Sequence, residues 1–325
     1  MSPKITVFIP VYNRQQYIAK TIESVLQQSF KNFQLLLIDD GSTDKSLEIM
    51  RSFTDKRITI IENGENLGIP KTRNIGLQYA QGKYLAILDS DDLMLKHRLK
   101  KQKKFLDKNL DYVGVGSWSR YIDHKDNVIR WLVMRPISHN KIKASLLFHC
   151  AIHNRTFMAR THLLKQFAYK NDYTRCQDYE LLYRLSKKHK LHNIPEVLVQ
   201  GRKHDAQITK STVDIGVDLK KQIASMMLDD LGISYDQNDL TNHIKLVRGN
   251  GDEVAMDYID WCEIWFDKIT EANANKNIYD ADSLNQVIAN LWMKIFSRSS
   301  DNETSIKGRG NLLKLAGKYT QAYLK

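Results

Sequence analysis

Three carboxylates, Asp89, Asp91 and Asp92, interrupt the apolar run YLAILDSDDLML at residues 84–95. Burying an unpaired carboxylate is costly, so such a cluster at the end of an apolar run calls for cations or water around it. In an extended segment Asp89 and Asp91 point the same way, and both can face one divalent cation and a diphosphate that bridges to it, whereas Asp92 points elsewhere. Capping of a helix beginning near Lys96, or solvation of a turn, would use the same residues.

Other residues could join that chemistry. In DDGSTD, residues 39–44, Asp-Gly-Ser is ordinary turn chemistry and Ser42 or Thr43 can cap a helix, but Asp39 or Asp40 can also accept the ring N–H or ribose hydroxyls of a nucleotide. Arg73, in NLGIPKTRN, carries the rigid fork that suits a diphosphate or base, or stands as a solvated helix cation. Asp178, in TRCQDYELLYRL, opens a helix and is either its cap or a general base aimed into a cleft. His204, in GRKHDAQIT, is a surface histidine or an imidazole completing a metal shell.

The elements that must position these groups follow from hydrophobic periodicity. ITVFI (residues 5–9) is a β-branched run, and Tyr17, Ile18, Thr21, Ile22, Val25 and Leu26 then share one helical face. The unit recurs with QLLLI (34–38) and a helix, RITII (57–61) and a helix near 71–81, then KYLAIL (83–88). Such alternation predicts an α/β fold with a mostly parallel sheet flanked by helices. Ligands of these sheets bind beyond the carboxyl ends of the strands, which would set Pro10–Asn13, Asp39–Asp44 and Asp89–Asp92 along one edge. Past residue 110 the pattern loosens, and from about Val213 it turns helical, with DYIDWCEIWFDKIT and SLNQVIANLWMKIF. The expected organisation is therefore a domain over 1–212, divided near residue 110, and a helical region over 213–325.

Composition narrows the classes further. A chain of 325 residues with 42% hydrophobic content supports an extensive core. Lys and Arg number 49 against 37 Asp and Glu, and a net charge of +12 attracts polyanions. No zinc-finger spacing or RNA-recognition strand accompanies it, so no specific nucleic acid is expected. Cys150, Cys176 and Cys262 fit neither a disulfide framework nor a zinc site and are expected to be reduced and structural. The apolar run near the start is too short for a secretory segment and nothing approaches the ~18 apolar residues of a membrane span, which predicts a cytoplasmic protein. The basic, leucine-bearing stretch Ser305–Lys325 contains no acidic residue and is expected to attach peripherally to an anionic membrane at its inner face, the alternative being a helix packed on its neighbours.

Taken in order, the motifs VFIPVYNRQQYIAKTIESVLQQSF, LLLIDDGSTDKSLEI, ENLGIPKTRNIGLQYAQGKYLAILDSDD and CQDYELLYRL resemble those of the family 2 glycosyltransferases of the GT-A fold, over about Lys4–Thr209. The ordered set is far more specific than any one motif. The resemblance implies a nucleotide-binding half over 1–110, an acceptor half over 111–212, and a metal-dependent, inverting hexosyl- or N-acetylhexosaminyltransferase. Its donor would be a nucleotide-sugar, a UDP-sugar by default, and its acceptor a saccharide, lipid-linked or cell-surface glycan. It further implies that Pro10, Tyr12 and Asp40 cradle the base, that Arg73, Asn13, Ser90 and Asp92 contact the nucleotide-sugar, and that Asp89 and Asp91 form the DXD motif. Asp91, with Asp89 and His204, would serve Mn²⁺ or Mg²⁺, and Asp178 would be the base. Gln177 stands where an acidic residue is common, and Pro70 and Lys71 where small ones are. The QXXRW motif and membrane spans of processive synthases are missing from the sequence, since NVIRW (127–131) precedes Asp178 and lacks the glutamine, so transfer of single sugars is expected. A nucleotidyltransferase of similar fold, which would leave Asp178 unexplained, and a basic module binding nucleic acid or membrane are the alternatives.

Overall fold

The computed structural model describes residues 2–204, 213–247 and 256–296. The chain divides into two compact units, Met1–Ile142 with Cys150–Gly216, and Lys143–His149 with Val217–Lys325.

The first unit is built on one sheet. Strands β1 (Ile5–Val11), β2 (Phe33–Asp39), β3 (Ile58–Glu62) and β4 (Tyr84–Ile87) alternate with helices α1 (Ile18–Leu26), α2 (Ser46–Arg51) and α3 (Ile69–Tyr79). These four strands are parallel, in the order β3-β2-β1-β4. β2 and β4 are buried along their whole length, as strands covered on both faces must be, which is why they read as continuous apolar runs rather than alternating ones. The strand order reverses at β1, whose two neighbours are β2 and β4, the position beyond whose carboxyl end open α/β sheets bind their ligands. Pro10 costs no ladder bond on the β4 side, because pairing of β1 with β4 stops at Phe8.

The sheet continues as a mixed half. A short β5 (Leu93–Met94) and α4 (Arg98–Lys108) lead to β6 (Tyr112–Ile122), β7 (Val128–Val133), α5 (His139–Leu146), β8 (Met158–Arg160), α6 (Thr161–Phe167), α7 (Gln177–Ser186) and β9 (Lys190–Arg202). Strand order runs on from β4 through β8, β6 and β9 to β5, and β7 pairs only with β6. β5 returns the chain antiparallel to the end of β9, Leu93 facing Gln200, so the turn between β4 and β5 is clamped at both sides.

The second unit is helical: α8 (Val213–Leu231), α9 (Gln237–Lys245), α10 (Met256–Lys276) and α11 (Ala281–Phe296). Asp236 and Asp239 close a reciprocal capping box at the start of α9, each carboxylate accepting from the other's backbone N–H. Within this unit His243 is fully engaged, its Nε2 donating to the Leu147 carbonyl at 2.8 Å while Nδ1 accepts from the Trp265 indole at 3.0 Å. Among the described residues no helix is long and apolar enough to cross a membrane. The basic stretch Ser305–Lys325 lies outside the described residues.

Candidate active site

The loops after β1 and β2 are stitched to one another before any ligand is considered. Asn13, in the left-handed region at φ 53°, gives its N–H to Ser42 Oγ at 3.1 Å, its carbonyl accepts from Arg14 Nη1 at 2.8 Å, and its amide oxygen accepts the Thr43 N–H at 2.8 Å. The Arg14 N–H donates to Ser46 Oγ at 2.7 Å and that of Gln15 to Asp44 at 3.1 Å. Gly41 is required between them: at φ +73°, a Cβ would meet the Glu65 backbone at 2.5 Å. Tyr12, by contrast, keeps an exposed ring at this edge.

The acidic turn after β4 is held from three sides. Thr21 of α1 donates to the Ser90 carbonyl at 3.0 Å. Arg202 of β9, itself buried, donates its N–H to Asp92 at 2.8 Å and its Nε to the Asp91 carbonyl at 2.9 Å. Arg155 Nη1 reaches both oxygens of Asp92 at 2.9 Å, and Gly201 makes the room, since a Cβ there would meet that nitrogen at 2.4 Å. Burial alone would lower the Arg155 pKa, but Asp92, Asp89 and Asp91 outweigh it and raise it above the ordinary arginine value. Buried Arg98 lies close enough to Asp92 and Asp89 to feel both charges, and it also ties the Ile87 carbonyl at 2.8 Å. The carboxylates that end an apolar strand thus face a ring of guanidinium groups.

Asp89 and Asp91 are what this scaffold presents. Asp91 Oδ2 lies 2.9 Å from His204 Nε2 and 3.7 Å from Arg14 Nε. Burial would raise the Asp91 pKa, but the His204 hydrogen bond, Arg14 and Arg155 together hold its carboxyl below the ordinary value. Asp89 goes the other way: burial raises it, and Arg155 and Arg73 only partly offset that. Arg73 Nη2 stands 3.8 Å from Asp89, and the guanidinium lies 5.4 Å from the centre of the Tyr169 ring. Its Nε and Nη1 are buried without an acceptor, an expensive state that an anionic ligand would relieve.

Asp178 reaches the same place from α7. Cys176, left-handed at φ 56°, is the residue that precedes the helix, so Asp178 sits within the first turn and not at the cap. Among the described residues the Cys150 thiol lies 4.0 Å from the Asp178 carboxylate, whose charge acts on both Asp89 and Tyr169, raising their pKa values. Burial first, and Asp178 second, push the Cys150 thiol well above its ordinary value, which keeps it protonated and unreactive. Cys150, Cys176 and Cys262 form no disulfide.

The geometry thus brings together Arg73, Asp89, Asp91, Asp178 and His204, while Tyr12 stands exposed just past Pro10 and the end of β1. Four of the expected ligand residues, Asp40, Asp92, Asn13 and Ser90, make contacts within the protein. Asp40 is buried and spends both oxygens inside the protein, on Asn63, the Leu67 and Gly68 N–H groups and Thr72 at 2.6–3.1 Å. Asp92 is fully occupied by Arg155 and Arg202, and the polar groups of Asn13 join two loops. Ser90 contributes its carbonyl to Thr21. Asp39 Oδ2 accepts the Ser42 N–H at 3.0 Å, while its Oδ1 is buried with no partner among the described residues. Arg14, Arg155, Arg202 and Tyr169 escape sequence reasoning, because nothing in their local pattern says that four distant segments meet at one turn.

A divalent cation can be tested against this donor set. Asp91 and His204 converge as one oxygen and one nitrogen ligand, and the second ring nitrogen of His204 is buried without a partner. Among the described residues no third His, Cys, Asp or Glu gathers with them. Two protein ligands fit Mg²⁺ or Mn²⁺, which complete their shells with substrate phosphates and water rather than with an all-protein cage.

The family model for glycosyl transferase family 2 matches residues 6–167. An uncharacterized glycosyltransferase of Haemophilus influenzae is 34% identical over 216 residues, covering 63% of this chain and 67% of the relative. One from Methanocaldococcus jannaschii is 32% identical over 206 residues, covering 62% and 71%. Among solved structures the chain is similar to S. aureus TarS in complex with UDP, with a TM-score of 0.59 at 16% identity over 94% of this chain and 91% of that one. It is also similar to the mannosyltransferase PcManGT from Pyrobaculum calidifontis in complex with GDP-Man and Mn²⁺, with a TM-score of 0.53 at 14% identity over 99% and 83%.

Proposed function

The chain belongs to glycosyl transferase family 2, and from that premise we propose that it moves a single sugar from a nucleotide-sugar, a UDP-sugar by preference, to a hydroxyl of a saccharide, lipid-linked or cell-surface glycan acceptor, with inversion at the anomeric carbon. The observation that carries the donor is Arg73, whose two unpartnered buried N–H groups beside Asp89 await a polyanion. UDP and GDP-Man in the two structural neighbours agree with a nucleoside diphosphate there. Asp39 Oδ1 would accept a donor N–H or O–H of the nucleoside, under the exposed ring of Tyr12.

Asp91 and His204 would hold Mn²⁺ or Mg²⁺, and the cation would supply charge stabilisation to the departing diphosphate. Arg73 supports the same negative charge from the other side of Asp89. As the C–O bond to the nucleoside diphosphate breaks, the electron pair leaves with the diphosphate and the anomeric carbon becomes oxocarbenium-like. Asp178 takes the proton of the acceptor hydroxyl, whose oxygen bonds to that carbon from the opposite face. The carboxylate suits this task because it is not tied up in capping α7. We assign the protein to the cytoplasmic side of a membrane at which such acceptors are built.

A thermal-shift panel of UDP-, GDP-, dTDP- and CDP-sugars with and without Mn²⁺ tests the donor, since a ligand of the native state raises its melting temperature by mass action. UDP-sugars should give the largest shift. Asp178→Asn should keep that shift while turnover of the nucleotide-sugar falls by about a hundredfold. A panel in which no nucleotide-sugar stabilises the protein would remove this reading.

A further inference from the structure

Of the eleven large hydrophobic side chains exposed among the described residues, five fall between residues 129 and 137. Trp131 is 72% exposed, Met134 63%, Ile129 55% and Leu132 41%, on a strand, β7, that pairs on one edge only. Both faces of the strand are open, so the hairpin formed by β6 and β7 projects rather than covering a core. So dense an apolar patch on a soluble surface marks an interaction site.

The charges around it say what it meets. Lys125 and Arg130 are exposed and have no acidic partner among the described residues, and Arg120 lies 5.7 Å over the Trp131 ring. The two acids of the hairpin are consumed locally, Asp126 by Lys20 and Arg202, and Asp123 by Asn127 and the turn backbone. A sugar chain would need polar groups to match its hydroxyls, which Ile129, Leu132 and Met134 lack. A second copy meeting the same patch about a two-fold axis would set these cations against themselves. We propose that the β6–β7 hairpin and the segment to Ile137 form a docking surface for an anionic lipid bilayer, the apolar residues entering the interface with Arg130 and Lys125 at the headgroups.

Docking there also orients the active site. Arg202 Nη1 holds the Asp123 carbonyl at 2.9 Å while its Nε holds that of Asp91, so one side chain joins the hairpin to the acidic turn. A membrane-borne acceptor would meet the cleft at headgroup level, a consequence that rests on the function proposed above, whereas the docking itself does not.

The test is co-sedimentation of the full chain with vesicles of phosphatidylglycerol in phosphatidylcholine, against phosphatidylcholine alone. The wild type should sediment with the anionic vesicles. Trp131→Ser combined with Ile129→Ser, and separately Arg130→Glu, should each lower the partition coefficient by about tenfold, with melting temperature and nucleotide-sugar turnover in solution unchanged. Leu110→Ser, exposed elsewhere, should sediment as the wild type does. Because every variant keeps Ser305–Lys325, binding carried by that stretch would survive the hairpin substitutions, and equal sedimentation of wild type and variants overturns the proposal. So does a wild type that fails to sediment, or a wild-type dimer that the same substitutions convert to monomer without changing vesicle binding.

Discussion

At the scale of single residues, Arg73 carries most of the cost and most of the information. A guanidinium buried with Nε and Nη1 unaccepted is unfavourable in the free protein, and a diphosphate would repay that cost. Arg73→Gln should therefore weaken UDP binding by about 2 kcal/mol, roughly thirtyfold in Kd, as expected for hydrogen bonds to a charged group. The melting temperature of the free variant should stay level or rise, because an uncompensated buried cation has been removed. Calorimetric titration with UDP reads the first and a melting curve the second; unchanged UDP affinity would deny Arg73 its role. Asp91 and Asp89 show how neighbours divide two carboxylates one residue apart, since the hydrogen bond from His204 holds one below its ordinary pKa while burial lifts the other.

At the scale of elements, the work is done by loops that fold onto each other rather than onto a ligand. Asp40 draws the 63–68 loop and Thr72 of α3 onto the end of β2, and so sets where Arg73 emerges from the next position of that helix. Asp40→Ala leaves those donors without an acceptor and should destabilise the protein by on the order of 3 kcal/mol. With Asp40 serving the fold alone, Asp40→Asn should lower the melting temperature and change UDP affinity only a few-fold well below that temperature. A variant that melts like the wild type yet binds no UDP would restore Asp40 to the nucleobase. The clamp of Arg202 and Arg155 on the acidic turn works in the same way, preparing Asp89 and Asp91 by fixing Asp92 beneath them.

At the scale of the whole molecule, stability against acid depends on a group far in sequence from the acidic turn after β4. Burial lowers the His243 pKa to about 4, and its two ring nitrogens are already committed as a donor and an acceptor. Its folded pKa lies below the unfolded value, so its contribution is complete above about pH 6.5 and is lost as pH falls towards 4. Unfolding followed by tryptophan fluorescence should lose up to about 3 kcal/mol across that window, and His243→Gln should flatten the loss; a profile unaltered by the substitution would place the acid sensitivity elsewhere. The amino-acid sequence by itself determined the alternating strands and helices, the parallel β1–β4 core and the edge along which Pro10–Asn13, Asp39–Asp44 and Asp89–Asp92 would lie, because hydrophobic period and strand-end rules are local. It could not separate Asp39 from Asp40, or Asp91 from Asp92, since adjacent carboxylates have the same chemistry until their partners are known. Those partners, Thr72 and the 63–68 loop for Asp40, Arg155 and Arg202 for Asp92, His204 for Asp91, come from segments up to 113 residues away. Only the assembled sheet and its loops decided which oxygens were spent on the fold and which were left without a partner, because a buried polar atom takes whatever partner packing brings to it.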